Sequence, residues 1–287
     1  MQKNIGFIGL GVMGQSMAGH LLDAGHKLRL FTRTPAKAQP LLDRGARWAD
    51  SPADLARDCD KVFTIVGFPR DVEEVYLGPA GLIENMQPGT VLTDMTTSSP
   101  ELARRIATAA AERGGQALDA PVSGGDKGAR EATLSIMVGG DRGPFERILP
   151  LLQCMGRNIV YQGPAGSGQH CKMCNQIAIA SNMLGVCEAM AYARQSGLDP
   201  QTVLQSISTG AAGSWSLSNL APRMLAGDFN PGFYVKHFIK DMTIAAESAD
   251  GLALETPGLD LALQLYRRLA EQGHADDGTQ ALYRLFS

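Results

Sequence analysis

The chain has 287 residues, a length typical of two domains, and its 44% hydrophobic and 19% charged residues are typical of a folded globular protein. Its net charge is −3, and no run of Lys or Arg exceeds two residues, so the composition argues against binding to nucleic acid or to an anionic membrane. No apolar run approaches the ~20 residues that span a bilayer, and a Gly-rich turn follows the start too closely for a signal peptide. We therefore expect a cytoplasmic protein.

The five cysteines are an odd number, which argues against a disulfide framework. Cys171 and Cys174 form a Cys-x-x-Cys pair, a spacing used by redox couples and by halves of zinc sites. No second pair lies near it in the sequence, so we expect no metal site.

From residue 5 to about residue 161, short apolar runs alternate with amphipathic stretches, as in repeated βα units that build a parallel sheet. Two helix starts carry a serine N-cap, a proline in the first turn and an acid nearby, at Ser51-Pro52 and Ser99-Pro100. The candidate strands are Asn4 to Ile8, Lys27 to Phe31, Lys61 to Ile65, Val91 to Asp94, Gln116 to Asp119 and Leu134 to Val138.

The strand signals stop after Gly163, and a long helical stretch from about Gln169 to Gln195 follows. The rest of the chain reads as helices separated by Gly and Pro. We therefore predict an α/β fold with three parts: a doubly wound parallel sheet of Rossmann type over 1–162, a linking helix over 163–195, and an all-α substrate and oligomerisation domain over 196–287. The helices predicted in the last part are Asp199 to Ser208, Ser214 to Leu225, Ile239 to Gly251 and Gly258 to Gln272.

The first chemical signal is Gly9-x-Gly11-x-x-Gly14, between the first predicted strand and a predicted helix. In a dinucleotide-binding turn the first glycine allows the tight turn, the second lets the backbone approach a pyrophosphate, and the third lets helix and strand pack closely. The order strand, turn, helix at the start of an α/β region favours dinucleotide binding over a purely structural turn.

The end of the second strand distinguishes the two nicotinamide cofactors, because an acid there would bind the ribose 2′-hydroxyl and repel a 2′-phosphate. The sequence has Thr32-Arg33-Thr34 at this place and no acid. The guanidinium of Arg33, with the hydroxyl of Thr34, suits a 2′-phosphate. We predict that NADP(H) is preferred and NAD(H) possible. The alternative is that Arg33 stacks on adenine or lies in solvent.

Two further segments have the composition of a substrate site. Ser123-Gly124-Gly125 follows a predicted strand, and its unobstructed backbone N–H groups can bind a carboxylate. Lys172 and Asn175 lie three residues apart near the start of the long helix, so they project from one face. A buried lysine at a positive helix end would have a lowered pKa, which suits proton exchange with a substrate oxygen.

These motifs, together with Lys240-Asp241, occur in the order and spacing of the 3-hydroxyisobutyrate dehydrogenase family, which the chain resembles over essentially its whole length. It is also similar to the tartronate semialdehyde and glyoxylate/succinic semialdehyde reductases. The resemblance implies a β-hydroxyacid dehydrogenase that transfers a hydride between a nicotinamide cofactor and a small carboxylate-bearing alcohol or aldehyde. It also implies a homodimer or homotetramer.

The resemblance implies a role for each matching residue. Lys172 matches the catalytic lysine, and Asn175 matches the residue that orients the substrate beside it. Ser123, Gly124 and Gly125 match the loop that binds the substrate carboxylate. The residues that match cofactor-binding positions are Gly9, Leu10, Gly11, Val12, Met13, Gly14, Arg33, Thr34, Val66, Gly67, Thr96, Thr97 and Lys240.

Two departures from the family pattern affect the substrate prediction. The residues after Asp94 read Met-Thr-Thr-Ser-Ser-Pro, whereas the commoner pattern in the family is Met-Ser-Thr-x-x-Pro. The change replaces a serine by a threonine, so both positions still carry a hydroxyl. Trp215 falls where we expect the far wall of the substrate pocket, with a core anchor of the α domain as the alternative. Three functions compete with a β-hydroxyacid dehydrogenase: a serine-type dehydrogenase, an imine reductase, and a non-catalytic dinucleotide sensor.

Overall fold

The computed structural model of the chain describes residues 4–286. The chain divides into two compact units, an N-terminal unit that ends at Lys172 and a C-terminal unit that begins at Met173. The division lies within one continuous helix, and the predicted boundaries at 162 and 195 stay predictions. No helix within residues 4–286 is both long enough and apolar enough to cross a bilayer.

The N-terminal unit is built on one mixed sheet, whose strand order is β3-β2-β1-β4-β5-β6-β8-β7, with β9 paired to the free side of β8. The strands from β3 to β6 are all parallel to their neighbours. Beyond them β8 runs antiparallel to β6 and β7 and parallel to β9. The strands are β1 (Asn4–Ile8), β2 (Leu28–Phe31), β3 (Arg47–Trp48), β4 (Cys59–Thr64), β5 (Val91–Asp94), β6 (Gln116–Asp119), β7 (Val122–Ser123), β8 (Leu134–Gly139) and β9 (Gly156–Gly163).

The parallel strands are buried on both faces, because successive side chains enter two separate hydrophobic cores. Phe7 and Phe63 belong to one core, whereas Ile8 and Val62 belong to the other. Helices cover each face of the sheet, which is the doubly wound arrangement that the alternating pattern predicts.

Eight α-helices and a 3₁₀ helix over Pro35–Lys37 connect these strands in the described residues of the N-terminal unit. Ser51 and Ser99 cap two of them, since their hydroxyls accept from the backbone N–H groups of Asp54 and Leu102 at 3.1 Å. Both predicted helix starts are therefore confirmed. The helices are α1 (Gly14–Asp23), α2 (Gln39–Leu42), α3 (Pro52–Asp58), α4 (Pro69–Leu77), α5 (Leu82–Asn85), α6 (Pro100–Glu112), α7 (Gly125–Arg130) and α8 (Arg142–Leu152).

The long helix α9 (Ser167–Gln195) begins two residues before its predicted start and ends as predicted. The C-terminal unit adds five α-helices around its own hydrophobic core within the described residues. A π-turn over Ala270–His274 and a 3₁₀ helix over Thr279–Leu285 complete it. The five helices are α10 (Pro200–Ile207), α11 (Trp215–Asn219), α12 (Ala221–Leu225), α13 (Val235–Asp250) and α14 (Pro257–Leu269).

One predicted helix is two helices in the structure. The stretch from Ser214 to Leu225 forms two short helices, α11 and α12, that meet at Leu220. Pro222 has no N–H group to donate to a carbonyl one turn earlier, so the helix is interrupted there and restarts with Pro222 in its first turn.

Candidate functional site

The Gly-rich turn has the geometry that each of its glycines predicts. Gly9 has a φ of +93°, and a Cβ on it would lie 2.0 Å from the carbonyl oxygen of Ile65. A Cβ on Gly14 would lie 2.0 Å from the carbonyl oxygen of Gly9. Both positions therefore exclude a side chain for packing reasons alone. Gly11 differs, because a Cβ there would meet no atom of the described residues within 4 Å.

Gly11 lies three residues before the first residue of α1. No side chain among residues 4–286 caps this helix, and its first turn contains no acidic residue. The N–H of Gln15 donates to the carbonyl of Gly11 at 3.2 Å, and the positive end of the helix dipole is left for an anion. Leu10 is buried, Met13 is half-buried and Val12 is exposed. An open glycine next to an uncapped helix start fits the pyrophosphate of a dinucleotide.

At the end of β2, Arg33 forms an ion pair that was not predicted from the sequence. Its guanidinium donates to the two carboxylate oxygens of Asp71 at 3.0 and 3.5 Å. Asp71 is buried, and it also accepts from the backbone N–H of Phe68 at 3.1 Å, at the start of α4. The Arg33 side chain remains 72% exposed, so one edge of the guanidinium is held while other donors face solvent. Thr34 beside it is exposed.

The carboxyl ends of β4 and β5 are joined through Thr96. Its hydroxyl accepts from the backbone N–H of Val66 at 2.9 Å, and its own N–H donates to a carboxylate oxygen of Asp94 at 3.0 Å. Thr96 is buried, whereas Gly67 and Thr97 are half-buried. The structure thus brings two predicted cofactor segments, Val66-Gly67 and Thr96-Thr97, together at the sheet edge where ligands of open α/β folds bind.

The start of α9 is fixed by Asp119, at the end of β6. Its two carboxylate oxygens accept from the backbone N–H groups of Gly166 and Gln169, each at 2.8 Å. A Cβ on Gly168 would lie 2.6 Å from the backbone oxygen of Asp119, which explains the glycine at that position. Burial raises the pKa of the Asp119 carboxyl above its ordinary value, and the backbone N–H groups that point at it oppose that shift. Asp119 is a helix-capping residue that sequence reasoning missed.

The side chain of Gln169 makes a second connection. It is fully buried, its amide nitrogen donates to the carbonyl of Thr96 at 2.7 Å, and its amide oxygen accepts from the N–H of Ser98 at 3.0 Å. Lys172 follows three residues later on the same helix face. The Lys172 side chain is buried, with only 6% of the residue exposed, as predicted from its place on the helix.

The Ser123-Gly124-Gly125 segment turns from β7 into α7. Gly124 has a φ of +129° and Gly125 a φ of +63°, values that favour glycine at both positions. Ser123 is half-buried and Gly124 is exposed, so the turn is accessible. This backbone suits the predicted role of a carboxylate-binding turn.

In the C-terminal unit, two predicted residues belong to one polar chain. The amide nitrogen of Asn175 donates to the side-chain oxygen of Gln176 at 2.7 Å, and Gln176 donates to the buried carboxylate of Asp241 at 2.6 Å. The ammonium of Lys240 lies 2.7 Å from the other oxygen of Asp241. Asp241 therefore compensates the charge of Lys240 inside the protein.

Trp215 is not a core anchor, and that alternative is wrong. It is the first residue of α11 and is 58% exposed, although its neighbours Ser216 and Leu217 are buried. Its predicted contact with the substrate stays a prediction.

Comparisons with known proteins define the class. A family profile described as "NAD binding domain of 6-phosphogluconate dehydrogenase" matches residues 4–163. Another, described as "NAD-binding of NADP-dependent 3-hydroxyisobutyrate dehydrogenase", matches residues 166–286.

Among proteins of known sequence, the chain is 62% identical over 286 residues to the uncharacterized oxidoreductase YkwC of Bacillus subtilis (strain 168), covering 100% of this chain and 99% of the relative. It is 50% identical to the probable 3-hydroxyisobutyrate dehydrogenase-like 1, mitochondrial, of Arabidopsis thaliana, over 97% of this chain and 83% of the relative. It is 42% identical to the 2-hydroxy-3-oxopropionate reductase of Escherichia coli (strain K12), over 94% and 92%.

Among solved structures, a 3-hydroxyisobutyrate dehydrogenase of Mycobacterium tuberculosis with L-serine is similar, with a TM-score of 0.90 and 31% identity over 99% of each chain. The chain belongs to the 3-hydroxyisobutyrate dehydrogenase family of β-hydroxyacid dehydrogenases. It is an NAD(P)-dependent oxidoreductase that carries out hydride transfer. The predicted family, fold class and enzyme class are confirmed.

Proposed function

We propose that the protein interconverts a small β-hydroxy acid and the corresponding semialdehyde, with Lys172 exchanging a proton with the substrate oxygen. The observation that carries this proposal is the burial of Lys172 on a helix start that is bound to both the Thr96 loop and the end of β6. A buried amine at a fixed position suits general acid and base catalysis better than a solvated surface lysine does.

The names of the relatives support one substrate class. 3-Hydroxyisobutyrate, 2-hydroxy-3-oxopropionate and L-serine share a carboxylate, an oxygen on carbon 3 and one small group on carbon 2. The groups on carbon 2 are a methyl, a hydroxyl and an amine. We infer that this chain acts on a three-carbon acid backbone of this kind, and that the nature of the group on carbon 2 distinguishes its substrate from those of its relatives.

The proposed roles follow from the residues. The backbone N–H groups of Ser123, Gly124 and Gly125 bind the carboxylate, and Asn175 orients the substrate. During reduction Lys172 gives a proton to the oxygen on carbon 3, and during oxidation it takes that proton back. The turn from Gly9 to Gly14 holds the pyrophosphate, and Val66, Gly67, Thr96, Thr97 and Lys240 hold the nicotinamide end. When bound, the cofactor supplies or accepts the hydride.

We propose that NADP(H) is the preferred cofactor. Arg33 presents exposed guanidinium donors at the end of β2, where Thr34 adds a hydroxyl. The ion pair with Asp71 limits the rotation of Arg33 and keeps its free edge ready for a phosphate. Asp71 also neutralises part of the positive charge, so the preference is expected to be moderate and NAD(H) to remain usable.

We further propose a homodimer or homotetramer. Several large apolar side chains of the C-terminal unit are exposed, an arrangement that favours burial against a second copy. They are Tyr192, Leu198, Leu252, Leu254 and Leu261. Light scattering after size exclusion should give a mass of two or four chains, and a monomer at micromolar concentration would contradict this.

A steady-state panel tests the function. The enzyme is assayed with 3-hydroxyisobutyrate, glycerate and L-serine in the oxidative direction, and with glyoxylate and succinic and tartronate semialdehydes in the reductive direction. Each is run with both cofactors, and absorbance of the reduced nicotinamide is followed. We expect turnover with 3-hydroxyisobutyrate, glycerate or tartronate semialdehyde. Turnover with L-serine alone would support a serine dehydrogenase, and tight NADPH binding without any turnover would support a sensor.

A further inference from the structure

Gln169 connects three segments of the N-terminal unit that are far apart in the sequence. Its side-chain amide binds the backbone on both sides of Thr97, donating to the carbonyl of Thr96 and accepting from the N–H of Ser98. Its backbone N–H donates to Asp119. All of these bonds are between 2.7 and 3.0 Å, and Gln169 is fully buried.

The two side-chain bonds restrain the distance between the loop and the helix. A primary amide has a donor and an acceptor at a fixed separation, so it matches a carbonyl and an N–H group of one extended loop segment only in one placement. Asp119 holds the helix backbone at the same turn. The first turn of α9 therefore has little freedom to slide or rotate relative to residues 96–98.

Lys172 lies three residues beyond Gln169 on the same helix, so its position depends on the position of that turn. Displacement by about 1 Å of a group that takes part in catalysis can lower turnover about 100-fold. Because residues 96 and 97 are proposed cofactor contacts, a slide of α9 would change the separation of the ammonium from the nicotinamide end of the cofactor.

We propose that Gln169 is a positioning residue that sets the place of the Lys172 ammonium relative to the Thr96–Ser98 loop. The inference rests on the proposed function of Lys172. Gln169 acts on catalysis through Lys172, by fixing where that side chain lies relative to the loop.

The main test is a double-mutant cycle with Gln169→Met and Lys172→Ala. Met has nearly the same length as Gln but makes neither hydrogen bond. We expect Gln169→Met to lower kcat by about 10- to 100-fold in the wild-type background. In the Lys172→Ala background the same change should alter the residual kcat less than about twofold, because the group being positioned is already absent.

A matched control separates positioning from a general loss of stability. Gln280 is also buried, and its amide nitrogen donates to the backbone carbonyls of Asp228 and Asn230 at 3.0 and 3.1 Å. Gln280→Met also breaks buried side-chain to backbone bonds, but it lies in the C-terminal unit and outside the proposed machinery. It should lower the melting temperature and leave kcat at 25 °C within about twofold of wild type.

A second variant, Gln169→Glu, keeps the test valid if Gln169→Met does not fold. A neutral carboxyl can donate to Thr96 and accept from Ser98, whereas a carboxylate lacks the donor. Relative to wild type at each pH, kcat of Gln169→Glu should therefore rise as the pH is lowered and the glutamate becomes protonated. A ratio that stays well below one and does not change with pH would overturn the proposal.

The remaining outcomes are distinct. Wild-type kcat in Gln169→Met would overturn the role of Gln169 and leave that of Lys172 intact. An equal loss in both backgrounds would show that Gln169 does not act through Lys172, which also overturns the proposal. Wild-type turnover in Lys172→Ala would instead refute the proposed function itself.

Discussion

Gly11→Ala should lower the affinity for the nucleotide and Gly14→Ala should lower stability, because the two glycines are required for different reasons. At Gly11 the new methyl would meet no atom within 4 Å in the part of the chain that the structure describes. At Gly14 it would lie 2.0 Å from the carbonyl oxygen of Gly9 and 2.9 Å from a methyl of Ile65. The first substitution therefore affects only a ligand, and the second affects the fold.

The magnitudes follow from these distances. A carbon atom contacts a carbonyl oxygen at about 3.3 Å, so Gly14→Ala must open the turn by about 1 Å or more. Since the obstacle is backbone, we expect the upper part of the overpacking range, a loss of about 3 kcal/mol in the free energy of unfolding. For a unit of this size the melting temperature would fall by roughly 6–12 °C. Gly11→Ala should change stability by less than about 0.5 kcal/mol.

Nucleotide affinity gives the complementary result. The methyl of Gly11→Ala would occupy the space where the pyrophosphate is proposed to approach the backbone, so the Kd for NADPH should rise at least about tenfold, equivalent to about 1.4 kcal/mol. NADPH fluorescence titration measures the Kd, and thermal unfolding followed by circular dichroism measures stability. Gly143→Ala is the matched control, because that glycine in α8 is equally open and lies far along the chain from the turn.

An unchanged Kd for NADPH in Gly11→Ala would refute the placement of the pyrophosphate at this turn. A large loss of stability in that variant would refute the packing argument, since the structure leaves room for the methyl.

Three further predictions concern other groups. Arg33→Ala should raise the KM for NADPH about tenfold and leave the KM for NADH nearly unchanged, because one charge-assisted contact with the 2′-phosphate is lost. Equal effects on the KM values of both cofactors in steady-state assays would contradict this role. Burial, and to a smaller extent the charge of Lys240, lowers the pKa of His237 below its ordinary value of 6.5. Protonation of this histidine therefore favours the unfolded state. As the pH falls below about 6.5, the wild-type protein should lose stability relative to His237→Gln. Parallel stability curves for the two proteins in urea titrations between pH 5 and 8 would exclude that contribution. Asp241→Ala should cost about 3 kcal/mol in urea unfolding, because it removes a buried carboxylate that lies 2.7 Å from the Lys240 ammonium and accepts from Gln176. A loss below about 1 kcal/mol would contradict this.

The central strands and the Gly-rich turn could be predicted from sequence, because their signals are local. The strands Asn4–Ile8, Val91–Asp94 and Gln116–Asp119 have the predicted bounds, and β2, β4 and β8 differ by one or two residues at their ends. The strands that were missed are of another kind. β3 and β7 have two residues each, too few to show an alternation, and β9 carries polar residues on a mostly exposed edge.

Contacts between side chains distant in sequence could not be predicted in the same way. Arg33 and Asp71 are separated by 38 positions, and Gln169 and Ser98 by 71, so their pairing depends on how the sheet brings strand ends together. A local signal did exist for Asp71, which follows Pro69 at the start of α4 as Asp54 follows Pro52 at the start of α3. It predicts a helix cap but does not identify the arginine that shares the carboxylate.

Turnover of Lys172→Ala tests the central claim most directly when it is measured together with NADPH affinity. Using the best substrate from the panel, we expect kcat to fall at least about 100-fold while the Kd for NADPH changes less than about threefold, because a proton donor is removed and the cofactor contacts remain. Lys27→Ala, at an exposed lysine that precedes β2, should behave as wild type. Wild-type kcat in Lys172→Ala would contradict the assignment of proton exchange to this lysine.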